Sequence, residues 1–179
     1  MKSKFFIIYL LCVCALMACR ETKRQEPAQQ YATEFISCYV EQYGKAYDSV
    51  PHNVFALDLY SDGLSLDSTR RIVGTGTNLY ISDIFLADSL LAVGAYHSDT
   101  TAATHTFLPG QDCEGTPTGI YLFSVVESAN AGVQVVDSGR FEVSITPDSL
   151  YYNMHFMLYY GKQTYEGRFE GTLNYYDRR

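Results

Sequence analysis

Apolar and polar residues alternate with a period of two along most of this chain of 179 residues. Phe55, Leu57 and Leu59 lie on one face of an extended segment, and Asp62-Gly63 supplies a two-residue turn before Leu64 and Leu66. This pattern predicts a β-hairpin. Further strand-like segments are 78–85, 90–96, 120–126, 133–136, 140–145, 150–160 and 165–175.

The fold class follows from the spacing of these segments. Turn-rich stretches such as Gly74-Thr75-Gly76 and Asp137-Ser138-Gly139 separate them, and no helical pattern intervenes. Such a series predicts an all-β domain, either an antiparallel β-sandwich of about 8–10 strands or, as the alternative, a lipocalin-like closed β-barrel. Residues 31–43 fit a helix by spacing and a strand by residue type, and we favour an opening strand from about Ile36.

The segment 165–175 carries two glycines on its apolar face. Gly167 and Gly171 alternate there with Phe169. Because glycine weakens the interior of a strand, its presence predicts a bulge or the close approach of a large neighbour, such as an aromatic residue of 150–160.

The first 18 residues have the pattern of a targeting segment. Lys2 and Lys4 precede an uncharged run, residues 5–18, that ends in small side chains. This pattern predicts a secretory signal peptide. The run is shorter than the ~20 residues that a membrane-spanning helix needs, so a permanent span is disfavoured.

Leu16-Met17-Ala18-Cys19 resembles the lipobox of bacterial lipoproteins. The resemblance implies that Cys19 becomes the mature N-terminus and carries a diacyl group, such as palmitate, on its sulfur; the alternative is a secreted protein with an unmodified cysteine. Arg20 stands where an inner-membrane lipoprotein often has aspartate, which implies an outer-membrane location. Residues 19–30 would form the lipidated cysteine and a solvated tether, and 31–179 a single folded domain. Whether the domain faces the periplasm or the cell surface stays open.

The charge of the chain disfavours two classes of partner. Its formal charge is −7, from 13 Lys and Arg against 20 Asp and Glu. Removal of residues 1–18 takes away Lys2 and Lys4 and no acid, which leaves −9. A domain this acidic does not favour nucleic acid or an anionic membrane surface as its main partner.

Two cysteines remain after the signal peptide and the lipidated residue are set aside. Cys38 and Cys113 form an even pair in an exported and therefore oxidising environment. They are candidates for a disulfide bond. The alternative is two separate thiols, with Cys38 buried and Cys113 on a loop. Two isolated cysteines lack the paired spacing of zinc sites, so we expect no metal site.

The sequence offers no catalytic constellation. His52, His97, His105 and His155 have neither the His-x-His nor the His-Glu-x-x-His spacing, and no Gly-x-Ser-x-Gly motif occurs. Metal-dependent hydrolysis and serine hydrolysis are thus disfavoured. We expect no enzyme activity and no cofactor.

Tyrosine is the compositional anomaly, with 16 residues and no tryptophan. Three adjacent pairs lie near the C-terminus, and neighbours in a strand point to opposite faces, so each pair should present one outward ring. Exposed tyrosine suits a binding surface, although tyrosine also simply favours strands. The candidate binding residues are Tyr151, Tyr152, Tyr159, Tyr160, Tyr175 and Tyr176.

Short glycine-tyrosine strand starts add a second resemblance. Gly94-Ala95-Tyr96, Gly119-Ile120-Tyr121 and the segment 165–171 are similar to motifs of small secreted β-rich lipoproteins of Gram-negative bacteria. That resemblance implies a β-sandwich lipoprotein and carries no catalytic residues.

Together these features predict a non-catalytic, lipid-anchored protein of the cell envelope that binds an unknown protein or glycan through exposed tyrosines. Two alternatives stay open. One is a lipocalin-like carrier of an apolar ligand. The other is a subunit of a fimbria-like envelope assembly that accepts a neighbour at a strand edge.

Overall fold

The computed structural model describes residues 30–147 and 150–179. These residues form fifteen β-strands. The strands are β1 (Gln30–Gly44), β2 (Asn53–Ser61), β3 (Leu64–Leu66), β4 (Ile72–Gly74), β5 (Gly76–Leu86), β6 (Gly94–Ser98), β7 (Thr106–Phe107), β8 (Gln111–Cys113), β9 (Thr116–Thr118), β10 (Ile120–Val126), β11 (Ala129–Val135), β12 (Ser138–Ile145), β13 (Tyr152–Tyr160), β14 (Gln163–Gly171) and β15 (Leu173–Asp177). The described residues contain no helix able to span a membrane.

Eight strands close into a barrel. Their order is β5-β2-β1-β14-β13-β12-β6-β7, and the pair β5–β7 closes the ring. The all-β class is confirmed, and of the two architectures expected from the sequence the closed barrel is the one observed. The barrel is mixed rather than purely antiparallel, because β1 runs parallel to β14 and β6 runs parallel to β7. The β10–β11 hairpin extends the sheet from β5, and β15 pairs with β1.

Aliphatic and aromatic side chains fill the barrel interior. Tyr96 stacks on Phe141 with ring centroids 4.4 Å apart, and Phe141 contacts Phe156 at 5.4 Å. Leu57, Leu79 and their neighbours on the inner face are fully buried. Because these residues recur at every second position of their strands, the alternation in the sequence becomes the division between the inside and the outside of the barrel.

Strand β1 organises the barrel wall. Its first half pairs in parallel with β14, and its second half pairs with β15 on one side and β2 on the other. A register shift at Phe35/Ser37 coincides with this change of partner, and a second shift lies at Gln42/Gly44, at the end of the strand. The opening strand is confirmed, although it begins at Gln30 rather than near Ile36. Pairing along both edges decides the ambiguous spacing of residues 31–43 in favour of a strand.

The predicted β-hairpin between Phe55 and Leu66 is wrong, because its two strands do not pair with each other. The turn at Asp62-Gly63 is present, but β3 pairs with β4 and not with β2. Gly63 and Gly74 both have left-handed φ, +83° and +108°, and a Cβ on Gly74 would lie 1.9 Å from the Gly63 carbonyl oxygen. Glycine at both positions therefore allows the chain to turn away from β2. We call residues 62–75 the flap.

The close approach predicted at Gly167 is confirmed. A Cβ there would lie 2.7 Å from Phe35 Cε2 and 3.6 Å from Phe156 Cβ. The nearer neighbour comes from β1, which pairs with β14 on the side opposite β13. The predicted single strand 165–175 is divided at Thr172, so β14 belongs to the barrel and β15 lies outside the ring.

The disulfide predicted between Cys38 and Cys113 is not formed, and both thiols are free. Cys38 is fully buried in the barrel core. Cys113 is exposed on the β8–β9 hairpin, with its sulfur 3.8 Å from the hydroxyl of Thr118. Burial raises the pKa of the Cys38 thiol well above its usual value, so this residue is an inert core side chain. The predicted signal peptide and Cys19 lie outside the described residues.

Candidate functional site

The six tyrosines predicted as a binding surface lie at separate places. Tyr151 and Tyr152 stand at the start of β13, whereas Tyr159 and Tyr160 stand at its end, about 27 Å away along a strand of this length. Tyr175 lies near the first pair, where its hydroxyl accepts a hydrogen bond from the Leu91 amide at 3.4 Å. Tyr176 lies on another wall, stacked on Tyr39. The structure therefore does not bring the six together.

A different set of tyrosines forms a continuous surface. Tyr39, Asp58, Tyr80 and Tyr121 stand opposite one another across the adjacent strands β1, β2, β5 and β10. Each alternates along its strand with buried aliphatic residues, so the row faces outward. We call this surface the tyrosine face; its members are Tyr39, Glu41, Tyr43, Asp58, Tyr80, Tyr121, Phe123 and Tyr176, and the fully buried Tyr60 and Asn78 lie beneath them.

The rings of the tyrosine face are in mutual contact. Tyr80 and Tyr121 stack with centroids 5.0 Å apart and an interplanar angle of 21°. Tyr39 stacks on Tyr176 at 5.6 Å and meets Tyr60 edge to face at 5.7 Å. Offset-stacked and edge-to-face pairs each contribute about 0.5–1.5 kcal/mol beyond the area they bury. These contacts hold the rings in fixed orientations before any partner binds.

A half-buried carboxylate lies beneath these rings. The hydroxyl of Tyr60 donates a hydrogen bond to Asp58, and Asn78 Nδ2 donates to the other carboxylate oxygen at 2.6 Å. Burial raises the pKa of Asp58, and these two hydrogen bonds only partly oppose the rise. Burial also raises the pKa of Tyr121, to about 12. The tyrosines of the face are therefore neutral hydrogen-bonding groups at physiological pH.

Glu41 forms a second polar centre at the edge of the tyrosine face. It accepts hydrogen bonds from the Tyr43 hydroxyl at 2.6 Å and from Arg178 Nη2 at 2.5 Å. Burial alone would raise the pKa of Glu41, but Tyr43, Arg178 and Arg70 together lower it below its usual value. Glu41 is therefore a carboxylate that is already paired.

The flap reaches the tyrosine face at two points. Leu66 and Ile72 pack with Tyr60 and Val125 in a small apolar cluster outside the barrel. At the tip of the flap, the Arg70 guanidinium lies 3.8 Å above the ring of Tyr176 and 3.7 Å from Glu41. A cation over a tyrosine ring is attracted by the electron-rich face of that ring. The flap thus borders one side of the tyrosine face.

A groove of about 860 Å³ lies elsewhere on the barrel, across β6, β12, β13, β14 and β1. Glu142, His155, Arg168 and Glu34 stand opposite one another across its strands. Glu166 lies 2.9 Å from His155 Nε2 and accepts from Arg168 at 3.0 Å. Acidic and basic side chains are thus neighbours on these strands, and Glu166 is paired with both His155 and Arg168, as in a solvated cross-strand ladder. We therefore place the candidate site on the tyrosine face.

Within the described part of the chain, no group of three or more His, Cys, Asp or Glu side chains could hold a metal ion. The histidines are dispersed. His97 lies 4.0 Å from Asp99 on the surface, and His105 packs edge to face on Tyr96 at 4.9 Å.

Most of the tyrosine face is not predicted from the sequence, because only the adjacent tyrosines near the C-terminus form a local pattern. The sequence signal that could have identified this surface is the set of residues on the strand faces opposite the buried aliphatic residues. Asp58 and Tyr60 alternate with Leu57 and Leu59, and tyrosines also stand at outward positions of β1, β5 and β10. No local sequence pattern predicts the order of strands that brings those positions together.

Comparison with known proteins assigns no family to the chain. No protein-family model matches the chain. No curated protein and no solved structure matches it either. The tyrosine face and the packed barrel beneath it are thus the features from which a function is inferred.

Proposed function

We propose that this chain is a non-catalytic, lipid-anchored protein of the bacterial outer membrane that binds a protein or glycan partner through the tyrosine face. One observation carries the binding role: Tyr39, Asp58, Tyr80 and Tyr121 form an outward row across four adjacent strands. The signal pattern and Cys19 support the anchor.

Tyrosine suits this role for physical reasons. Its ring offers a large rigid contact area at low cost in conformational entropy, and its hydroxyl both donates and accepts hydrogen bonds. The contacts of Tyr80 with Tyr121 and of Tyr39 with Tyr176 fix these rings in advance. A preorganised surface loses less freedom when a partner binds, so more of the contact energy appears as affinity.

The carrier alternative receives less support. A carrier needs room inside its barrel for the ligand. Here Phe141 contacts Tyr96, Phe107 and Phe156 within the barrel, with centroid distances of 4.4–5.4 Å. These side chains occupy the space that an apolar ligand would take.

One observation favours the assembly alternative as a second candidate. Strand β11 pairs with β10 on one edge, and residues 129–133 are exposed. Its sequence, Ala129–Val135, contains no Lys, no Pro and no acid, the residues that commonly protect a free edge. An extended segment of another molecule could add to the sheet there.

The anchor is tested by metabolic labelling of the full chain in a Gram-negative host with an alkyne analogue of palmitate. We expect label on the wild type and release of the unlabelled Cys19→Ser variant from the membrane fraction. Equal membrane association of the two chains would contradict the lipid anchor.

The binding surface is tested by site-specific photocrosslinking on intact cells. A benzophenone amino acid replaces Tyr121 in the tyrosine face or, as a control, the exposed Arg140 of β12 on another wall. We expect protein- or glycan-containing adducts at position 121 that are absent at position 140. Equal adducts at both positions, or none at 121, would contradict the proposed surface.

A further inference from the structure

We propose that the barrel end formed by the β13–β14 hairpin tip rests on the membrane surface into which the lipid on Cys19 inserts. The tip consists of Tyr159, Tyr160, Gly161 and Lys162. This orientation rests on the proposed lipid anchor and goes beyond it, because it states which end of the barrel meets the lipid headgroups.

The first observation is the place where the chain enters the barrel. In the sheet register, Gln30 of β1 stands opposite Thr164 of β14, and Thr164 stands opposite Tyr159 of β13. The start of β1 and the hairpin tip are therefore neighbours at one end of the barrel. A lipid attached upstream of Gln30 is therefore connected to the barrel at this end.

The second observation is the length of chain between Cys19 and Gln30. A random coil of this length would have a root-mean-square span of about 18 Å and a fully extended limit of about 40 Å. Strand β13 from Tyr152 to Tyr160 measures about 27 Å. Such a tether would bring the hairpin tip to the membrane without stretching, whereas the opposite end would arrive only if the tether spanned about 27 Å alongside the barrel, well beyond its root-mean-square span.

The third observation is the chemistry of the tip. Tyr159 and Tyr160 are 38 % and 43 % exposed, and Gly161 and Lys162 are also exposed. Tyrosine is enriched where a protein meets lipid headgroups, and lysine keeps its ammonium in the aqueous layer. Net charge does not drive the contact, because the mature chain is acidic.

The tip is also held in one conformation. The Gly161 amide donates a hydrogen bond to the Asp137 carboxylate at 2.6 Å, and the Asp137 amide donates to the Tyr159 carbonyl at 3.0 Å. Gly161 takes the left-handed φ that a tight two-residue turn requires. The two tyrosines are thus presented on a fixed hairpin.

The opposite end of the barrel is the competing surface. Leu150 is 81 % exposed there, and Val93, Ile145 and Tyr151 are exposed as well. This rim is more aliphatic than the hairpin tip, so it provides a demanding control. The proposal requires that the position of the tether, not the aliphatic content, decides which end docks.

The experiment uses the lipidated full chain in vesicles of brominated phosphatidylcholine. Because the chain has no tryptophan, Tyr160→Trp and Tyr151→Trp each introduce a single fluorophore, at opposite ends and with similar starting exposure. We expect quenching of the Tyr160→Trp variant to exceed that of Tyr151→Trp at least about two-fold, since interfacial aromatic rings lie at headgroup level. Circular dichroism must show the wild-type fold for both variants.

Mass spectrometry of the same vesicle samples identifies the acyl groups on Cys19, which separates the two proposals. Equal quenching, or stronger quenching of Tyr151→Trp, with the lipid present overturns the docking orientation and leaves the anchor standing. An unmodified Cys19 overturns the anchor and, with it, the docking.

Discussion

At the scale of single residues, Gly167 provides a sharp test of packing in the barrel wall. We expect Gly167→Ala to reduce the free energy of unfolding by about 1–3 kcal/mol, because the new methyl group would meet the Phe35 ring and overpack the core. Gly132→Ala is the matched control, since a Cβ there has no neighbour within 4 Å. Urea denaturation of the two variants measures the difference, and equal stabilities would contradict the close approach.

The raised pKa of Asp58 predicts how the stability of the protein changes with pH. Burial raises its pKa in the folded protein, so the unfolded chain binds fewer protons at this site between the two pKa values. The contribution of Asp58 to stability therefore grows as pH falls through the folded pKa and diminishes as pH rises.

Asp58→Asn removes this titration with little change of shape. We expect the stability of the wild type relative to Asp58→Asn to increase when the pH is lowered from about 7 to about 4, the ordinary pKa of an aspartate. Urea denaturation of both proteins at the two pH values gives the double difference, from which other carboxylates largely cancel. A change in the opposite direction would show that the carboxylate is stabilised as an anion.

Residue identity predicted some of these features and not others. The close approach at Gly167 was predictable, because glycine weakens the interior of a strand and its presence there usually means that a neighbouring group lies too close for a side chain. The pairing of Cys38 with Cys113 was not, because a count of cysteines contains no information about the direction in which each side chain points. Cys38 points into the core, whereas Cys113 lies on an exposed hairpin.

At the scale of elements, the flap depends on a glycine that no other residue replaces without strain. Gly74→Ala would bring a Cβ within 1.9 Å of the Gly63 carbonyl oxygen at a left-handed φ. We expect the flap to open more often, and trypsin to cleave at Arg70-Arg71 at least about ten-fold faster, since 1.4 kcal/mol of local strain changes the open population ten-fold.

Gly115→Ala is the control for the flap variant. It has a left-handed φ of +84° but no atom within 4 Å of the new Cβ. If both variants were cleaved at the same rate, backbone strain unrelated to the Gly63–Gly74 contact would explain the effect.

The flap also shows how far a local pattern predicts an element. Asp62-Gly63 correctly indicated a turn, but the partner of β3 depends on Gly74, ten residues beyond β3's start. Strand β1 shows the converse: its residues were ambiguous locally, and its pairing with β2, β14 and β15 makes it a strand. A local pattern can indicate where a turn or a strand lies, whereas the choice of partner, and for β1 the type of the element itself, depends on the whole sheet.

At the scale of the whole molecule, the same limit separates the barrel from the sandwich. The alternation that predicts an inner and an outer face is identical in both architectures. Closure here depends on β7, a strand of two residues, which joins β5 on one side and β6 on the other. No sequence pattern marks so short a strand. The tyrosine face was hidden for the same reason, because its row exists only once β1, β2, β5 and β10 are neighbours.

Phe107 lies at this point of closure and should therefore affect the entire barrel. It is fully buried and contacts Phe141 at 5.3 Å, and its strand joins β5 to β6. We expect Phe107→Ala to lower the free energy of unfolding by about 3–5 kcal/mol, with tyrosine fluorescence and far-ultraviolet circular dichroism shifting together in urea. Val133→Ala on the exposed strand β11 should change stability by no more than about 0.5 kcal/mol. Two separate transitions in the Phe107 variant would mean that the closed ring is not one cooperative unit, because opening the ring at β7 would then leave the rest of the sheet folded.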